Sequence, residues 1–296
     1  MEQLKGTGVA LVTPFTEQGQ VDVPALGRIV EHCIAGGVDY LVALGTTAEA
    51  VTLTTAEKRI VMDTIAHVNA DRLPLVIGIG GNNTLAVVQE LQTLDLSRFT
   101  AILSVSPYYN RPTQEGIYQH FKAIAQASSL PIIVYNVPGR TGSNVLPETT
   151  VRLANDFTNI VAIKEACGQL QQVMQLIAKR PHGFLVLSGD DLTALPALLA
   201  GAEGVISVLG QGYPRAFSDM VQQGLNGNAL PAYRQFYTLQ EAMELIFEEG
   251  NPAGIKAVFE ILGLSGAAVR LPLLEASQGL KTKLMQFHTS LMGLPV

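Results

Sequence analysis

Cysteine is almost missing. Cys33 and Cys167 are the only two in 296 residues, and they form no CxxC pair. That excludes a disulfide scaffold and fits a reducing, cytoplasmic setting. Charge is also scarce, with Asp, Glu, Lys and Arg together at 15%. Beside 48% hydrophobic residues, this points to a large core and away from disorder, and hints at surface covered in an oligomer. Cations are not in surplus, since the net charge is −6. Nucleic-acid binding as the main role is therefore not expected. No apolar window approaches the roughly 18 residues that a membrane-spanning helix needs. Met1 to Ala10 lack the basic-then-apolar pattern of a signal peptide. The five histidines make no HxH or HxxxH pair, so no metal site is expected.

What the sequence does have is a repeated apolar run. The runs are Gly8 to Val12, Tyr40 to Leu44, Leu75 to Ile79, Ala101 to Val105, Ile132 to Tyr135, Ile160 to Ile163, Phe184 to Leu187 and Gly204 to Val208. Their centres lie roughly 20 to 35 residues apart, the spacing of a βα unit. They are apolar throughout rather than alternating, as strands buried on both faces are. The segments Asp22 to Ala35, Thr55 to Val68, Thr84 to Leu96 and Thr113 to Ala127 carry helical apolar spacing. Thr54 with Glu57 reads as a capping box, and Pro147-Glu148 as a helix start.

Eight strands alternating with helices predict an α/β fold, a closed (β/α)8 barrel. A doubly wound open sheet is the alternative, but Gly78-Ile79-Gly80-Gly81 is not the GxGxxG that a dinucleotide fold favours and reads better as a tight turn. From about residue 213 only helical patterns remain, with breaks near Gly227, Gly250-Asn251-Pro252 and Gly263. The expected division is a barrel over 1–225 that carries the active site and a helical extension over 226–296 packed on it.

Barrel active sites lie at the C-terminal ends of the strands. Run six delivers Lys164 there, in register behind Ile160 and Ala162. Small Ala162 would leave room for a lysine lying inside the barrel, where poor solvation favours a free, nucleophilic amine. A lysine snorkelling to solvent is the other reading. Tyr135 shares a side with Ile133 and could shuttle protons, or could be a core tyrosine. Gly45-Thr46-Thr47 offers hydroxyls and N–H groups for a carboxylate, or ordinary turn capping. Arg140, between Gly139 and Gly142, suits a bidentate carboxylate grip, though loop arginines often just face solvent. Asp190-Asp191, after Gly189, reads as helix capping. Gly210-Gln211-Gly212 lacks a nearby cation for phosphate.

The ordered set Gly45-Thr46-Thr47-Ala48-Glu49, Pro107-Tyr108-Tyr109-Asn110, Tyr135-Asn136-Val137-Pro138 with Arg140-Thr141-Gly142, and Ile163-Lys164-Glu165-Ala166 resembles the dihydrodipicolinate synthase family of pyruvate-dependent class I aldolases. The likeness spans essentially the whole chain, reaching Asn251-Pro252 and Lys256. It implies a lysine Schiff base with pyruvate at Lys164 and no bound cofactor. It further implies a proton relay of Tyr135, Thr46 and Tyr109, the last reaching in from a neighbouring subunit. Thr47, Gly189 and the backbone at Ile206 would bind pyruvate, and Arg140 would hold the carboxylate of aspartate semialdehyde. The partners implied are these two small molecules and further copies of the chain, as a tetramer. Sister enzymes acting on sugar acids, such as N-acetylneuraminate lyase and keto-deoxy-gluconate aldolases, share the lysine and the tyrosine. They usually lack the loop arginine. A non-catalytic keto-acid-binding barrel is a third reading, against which the intact Lys164, Tyr135, Thr46 and Tyr109 weigh. Ala48 stands where the family motif has glycine, which would strain the backbone if the position needs φ > 0. In lysine-inhibited relatives an interface pocket carries two histidines and a glutamate, where this chain has Thr55, Lys58 and Ala86; Asn82 and Tyr108 are kept. A cationic effector would lose a carboxylate and meet a like charge, so lysine inhibition is expected to be weak or absent.

Overall fold

A computed structural model describes residues 1–293. Eight parallel strands close into one barrel in chain order: β1 (Gly6–Ala10), β2 (Tyr40–Ala43), β3 (Leu75–Gly78), β4 (Ala101–Val105), β5 (Ile132–Asn136), β6 (Ile160–Glu165), β7 (Leu185–Ser188) and β8 (Gly204–Ser207). After β1 to β4 come α1 (Val23–Ala35), α2 (Thr55–Asn69), α3 (Thr84–Thr93) and α4 (Gln114–Ala127). After β5 come the single turn α5 (Pro138–Thr141) and α6 (Pro147–Asp156). Then α7 (Leu170–Lys179), α8 (Asp191–Leu199) and α9 (Pro214–Leu225) follow β6, β7 and β8. The chain continues as α10 (Ala229–Glu248), α11 (Ala253–Ile261) and α12 (Gln278–Met292). The sequence breaks near Gly227, Gly250 and Gly263 fall between α9 and α10, α10 and α11, and α11 and α12. No helix among the described residues is long and apolar enough to cross a membrane.

Each strand splits its side chains between two cores. Tyr40, Val42, Leu103, Ile133, Ala162 and Leu187 fill the barrel, while alternate residues such as Leu41, Ile102 and Val186 pack outward against the helices. Two-sided burial is why the runs lack polar alternation. Gly8 makes space for the Tyr40 ring, because a Cβ there would come within 2.2 Å of it.

Boundaries shifted where side chains took over backbone partners. Asp22 and Thr113 cap α1 and α4 by accepting from Ala25 N and Gly116 N, so each helix starts one residue later than its pattern. The capping box of Thr54 and Glu57 is present, and Pro147 opens α6 at its first position. Helix α3 stops at Thr93 rather than Leu96, where Asp95 accepts from Ser97 N and competes with the helix. β1 runs from Gly6, not Gly8, and ends at Ala10. Above it Gln211 substitutes for a strand, donating to Ala10 O at 2.7 Å and accepting from Val12 N at 3.0 Å. The Gly210-Gln211-Gly212 turn is thus spent on satisfying the backbone at the end of β1.

One register prediction is overturned. Ile160 does not share the side of Ala162 and Lys164. Ile132 pairs with Ile160 and Ile133 with Ala162, so Val161 is an extra residue on β6. Such a bulge breaks the alternation, and Ile160 packs in the outer core while Ala162 lies in the inner one.

Candidate active site

The mouth of the barrel holds a cavity of about 450 Å³ lined by Thr46, Thr47, Tyr135, Arg140, Lys164 and Gly189, among others. Lys164 is 4% exposed. It sits beside Tyr135 across the β5–β6 pairing, with Nζ 4.4 Å from the ring centre. Gly189 makes this possible. A Cβ at 189 would lie 2.7 Å from Ala166 Cβ and 2.9 Å from Lys164 Cε, so the lysine stem runs where a side chain would stand.

The loop after β2 supplies Thr46, exposed on the cavity wall, and Thr47, buried. Ala48 carries no positive φ; the left-handed residues of this loop are Leu44, at φ 54°, and Glu49, at φ 53°. Alanine in place of the motif glycine is therefore free of backbone strain. Arg140 lies in α5 and is exposed on the cavity wall. Tyr109 is not among the lining residues. It stands 88% exposed on the loop after β4, at φ 72°, and Arg111 beside it is at φ 48°. That loop is tied to α5 through Tyr109 N, which donates to Thr141 O at 3.1 Å. Strained, exposed backbone of this kind tends to serve function. Ile206 does not line the cavity either; its side chain is in the inner core, and Val208 forms that wall.

Two buried carboxylates, unremarked in the sequence as functional, brace the site. Glu165 follows Lys164 and accepts from Asn136 Nδ2 at 2.9 Å, Gln172 Nε2 at 2.9 Å and Cys167 N at 2.9 Å. Burial raises its pKa, and the amide donors pull the other way. Asn144 joins this network through Asn136 and Gln172, linking it to the Arg140 segment. On the opposite side Glu49 pairs with Lys256 at 2.5 Å, with both side chains buried. Glu49 also accepts from Arg270 N at 2.9 Å. Burial pulls Lys256 down to about 8 despite that partner. Asn251 donates to Thr47 Oγ1 at 2.9 Å. Asp190 caps α8 as its sequence position predicts. Asp191 instead turns inward and accepts from Leu209 N at 2.8 Å, and burial pushes it up to about 6.

A second cavity of about 530 Å³ shares Thr46, Tyr135 and Arg140 with the first and reaches Lys58 and Glu90. Those two pair at 3.7 Å. Thr55 lines a third, smaller cavity with them, and Ala86 lines none of the three.

A closed barrel with a buried lysine among hydroxyls at its C-terminal mouth has the layout of a barrel enzyme. A sequence profile of the Dihydrodipicolinate synthetase family matches residues 3–290, and the chain belongs to that family. A 4-hydroxy-tetrahydrodipicolinate synthase of Flavobacterium psychrophilum is 57% identical, over 98% of this chain and 99% of its own. The crystal structure of a Thermotoga maritima dihydrodipicolinate synthase superposes with a TM-score of 0.95 at 34% identity, covering 99% of this chain and 100% of that one. A chloride-inhibited dihydrodipicolinate synthase of Acinetobacter baumannii, complexed with pyruvate, gives 0.94 at 38% identity, covering 98% and 100%.

Proposed function

We propose that this chain is a 4-hydroxy-tetrahydrodipicolinate synthase that condenses pyruvate with L-aspartate 4-semialdehyde. The observation that carries the reading is Lys164, buried against Tyr135 in a cavity that also holds Arg140. The Lys164 amine attacks the keto carbon of pyruvate, and water leaves as the imine forms. Loss of a methyl proton gives the enamine, which adds to the aldehyde of the second substrate, and cyclisation releases the product. No bound cofactor is needed, because the imine itself withdraws the electrons. Tyr135 and Thr46 move the protons, with Tyr109 of a neighbouring copy completing the relay. Its exposure on a strained loop supports such a loan. Thr47, Gly189 and the backbone at Ile206 hold pyruvate, and Arg140 grips the carboxylate of the aldehyde. The working unit is a homotetramer in the cytoplasm, and residues 226–296 are an extension serving the barrel of 1–225.

Borohydride trapping with pyruvate is expected to fix one adduct on Lys164, located by mass spectrometry. An unlabelled Lys164 defeats the mechanism. A coupled assay is expected to show turnover with aspartate semialdehyde and none with N-acetylneuraminate. Free lysine inhibits weakly or not at all, since Ala86 offers no carboxylate, Lys58 is a like charge, and the nearby Glu90 carboxylate already faces Lys58. Strong inhibition at sub-millimolar lysine would contradict this.

A further inference from the structure

Thr47 is 3% exposed and lines the Lys164 cavity. Its hydroxyl can donate one hydrogen bond and accept two. Asn251 Nδ2 donates to Thr47 Oγ1 at 2.9 Å. An oxygen that accepts from an amide cannot spend its own proton on that amide. The proton is therefore left for another acceptor, and the cavity lies beside it. Asn251 is itself buried and lines the same cavity. Nothing in the barrel places it there. It sits between α10 and α11, 204 residues away in sequence. The anchor is one turn further on, where buried Lys256 pairs with Glu49, two residues after Thr47. Lys256 Nζ also donates to Ala268 O at 2.8 Å and lies 4.2 Å from the centre of the Phe15 ring. Two attachments thus join the same short loop to the same short segment of the C-terminal extension.

We infer that Asn251 is a positioning residue for catalysis: it holds the Thr47 hydroxyl as a hydrogen-bond donor aimed at the carboxylate of the bound keto acid. The inference rests on the pyruvate reading of the site above. The Glu49–Lys256 pair fixes the distance, and the amide fixes the direction of the proton. The C-terminal extension, which also lends Met243, Phe247 and Glu248 to the cavity wall, is then part of the active site.

The test is pyruvate saturation of borohydride labelling at Lys164, read by mass spectrometry on the full chain. A hydrogen bond to a charged group is commonly a factor of about ten or more in affinity. Asn251→Asp reverses the bond, because a carboxylate only accepts and would take the Thr47 proton for itself. The half-saturating pyruvate concentration is expected to rise about tenfold or more, with half-saturation by the aldehyde in turnover unchanged. Asn251→Leu and Thr47→Val should each do the same, and the double variant should be no worse than either single one. Thr47→Ser keeps the hydroxyl and should restore labelling. Thermal melting reports whether each variant is folded, and Asn251→Asp and Thr47→Ser introduce the least change in shape. Independent, additive losses in the double variant would overturn the inference. So would wild-type pyruvate saturation in Asn251→Asp, which would mean that the side chain accepts from Thr47. A wild-type chain that pyruvate does not label would overturn the functional reading and this inference together. A labelled wild-type chain with additive variants overturns this inference alone.

Discussion

Glu49 and Glu165 lie on opposite sides of the barrel mouth, both 2% exposed, and they are satisfied in opposite ways. Glu49 meets a full cation, Lys256, from a segment 207 residues away. Glu165 meets neutral amides and a backbone N–H from its own neighbourhood, Asn136, Gln172 and Cys167. The first arrangement cancels charge and ties distant parts of the chain together. The second leaves a net charge in a low-dielectric place and raises the carboxyl's pKa. A buried ion pair gives little net stability, but breaking it is costly. An amide network costs less to disturb and stays sensitive to protons.

The largest effect should come from Lys256→Met, which strands the Glu49 carboxylate. Urea unfolding should show a loss of about 3–5 kcal/mol. Adding Glu49→Gln should recover most of it. A loss under about 1 kcal/mol would break the contrast, because backbone donation by Arg270 would then suffice for Glu49. Next is Gly189→Ala, on the Glu165 side. The new methyl meets the Lys164 stem and Ala166, so pyruvate labelling should fall about a hundredfold, the usual result of misplacing a reacting group by about 1 Å. Unfolding free energy should change far less than for Lys256→Met. The smallest effect is expected for Glu165→Gln, at about 1–2 kcal/mol near pH 7. Its sign with pH sharpens the contrast. Because the folded-state pKa is raised, the folded chain binds a proton that the unfolded chain lacks in the window just above the ordinary value of 4.5. Stability from this group therefore grows as pH falls through that window. The wild-type chain should gain on Glu165→Gln there. A flat difference between the two would mean that the amide donors fully offset the burial of Glu165.

The barrel was legible because two-sided burial writes itself as uninterrupted apolar runs, and because caps such as Asp22, Thr54 and Thr113 mark helix starts. Lys164, Tyr135, Thr46, Thr47 and Arg140 were legible as strand-end residues in an ordered set, and the fold brings all five to one cavity. What was hidden depends on contacts across long sequence distances. The bond from Asn251 to Thr47 and the reach of Gln211 to β1 leave no periodic trace. Tyr109 was named in sequence, but a single chain keeps it out of the cavity. The extra residue at Val161 was hidden for another reason: Ile160 is as apolar as its neighbours, so its side of the strand could not be read from its chemistry.

That extra residue has a consequence for anyone redesigning this barrel. It resets the parity of β6 between Ile160 and Ala162. Ala162 and Lys164 then face the chamber in regular alternation, and Val161 also packs against the inner core. A lysine at 160 would surface among the helices instead. Deleting Val161 should leave Lys164 facing inward, because the reset lies upstream of it, and the length of the preceding loop can drift without turning the reactive amine away from its chamber.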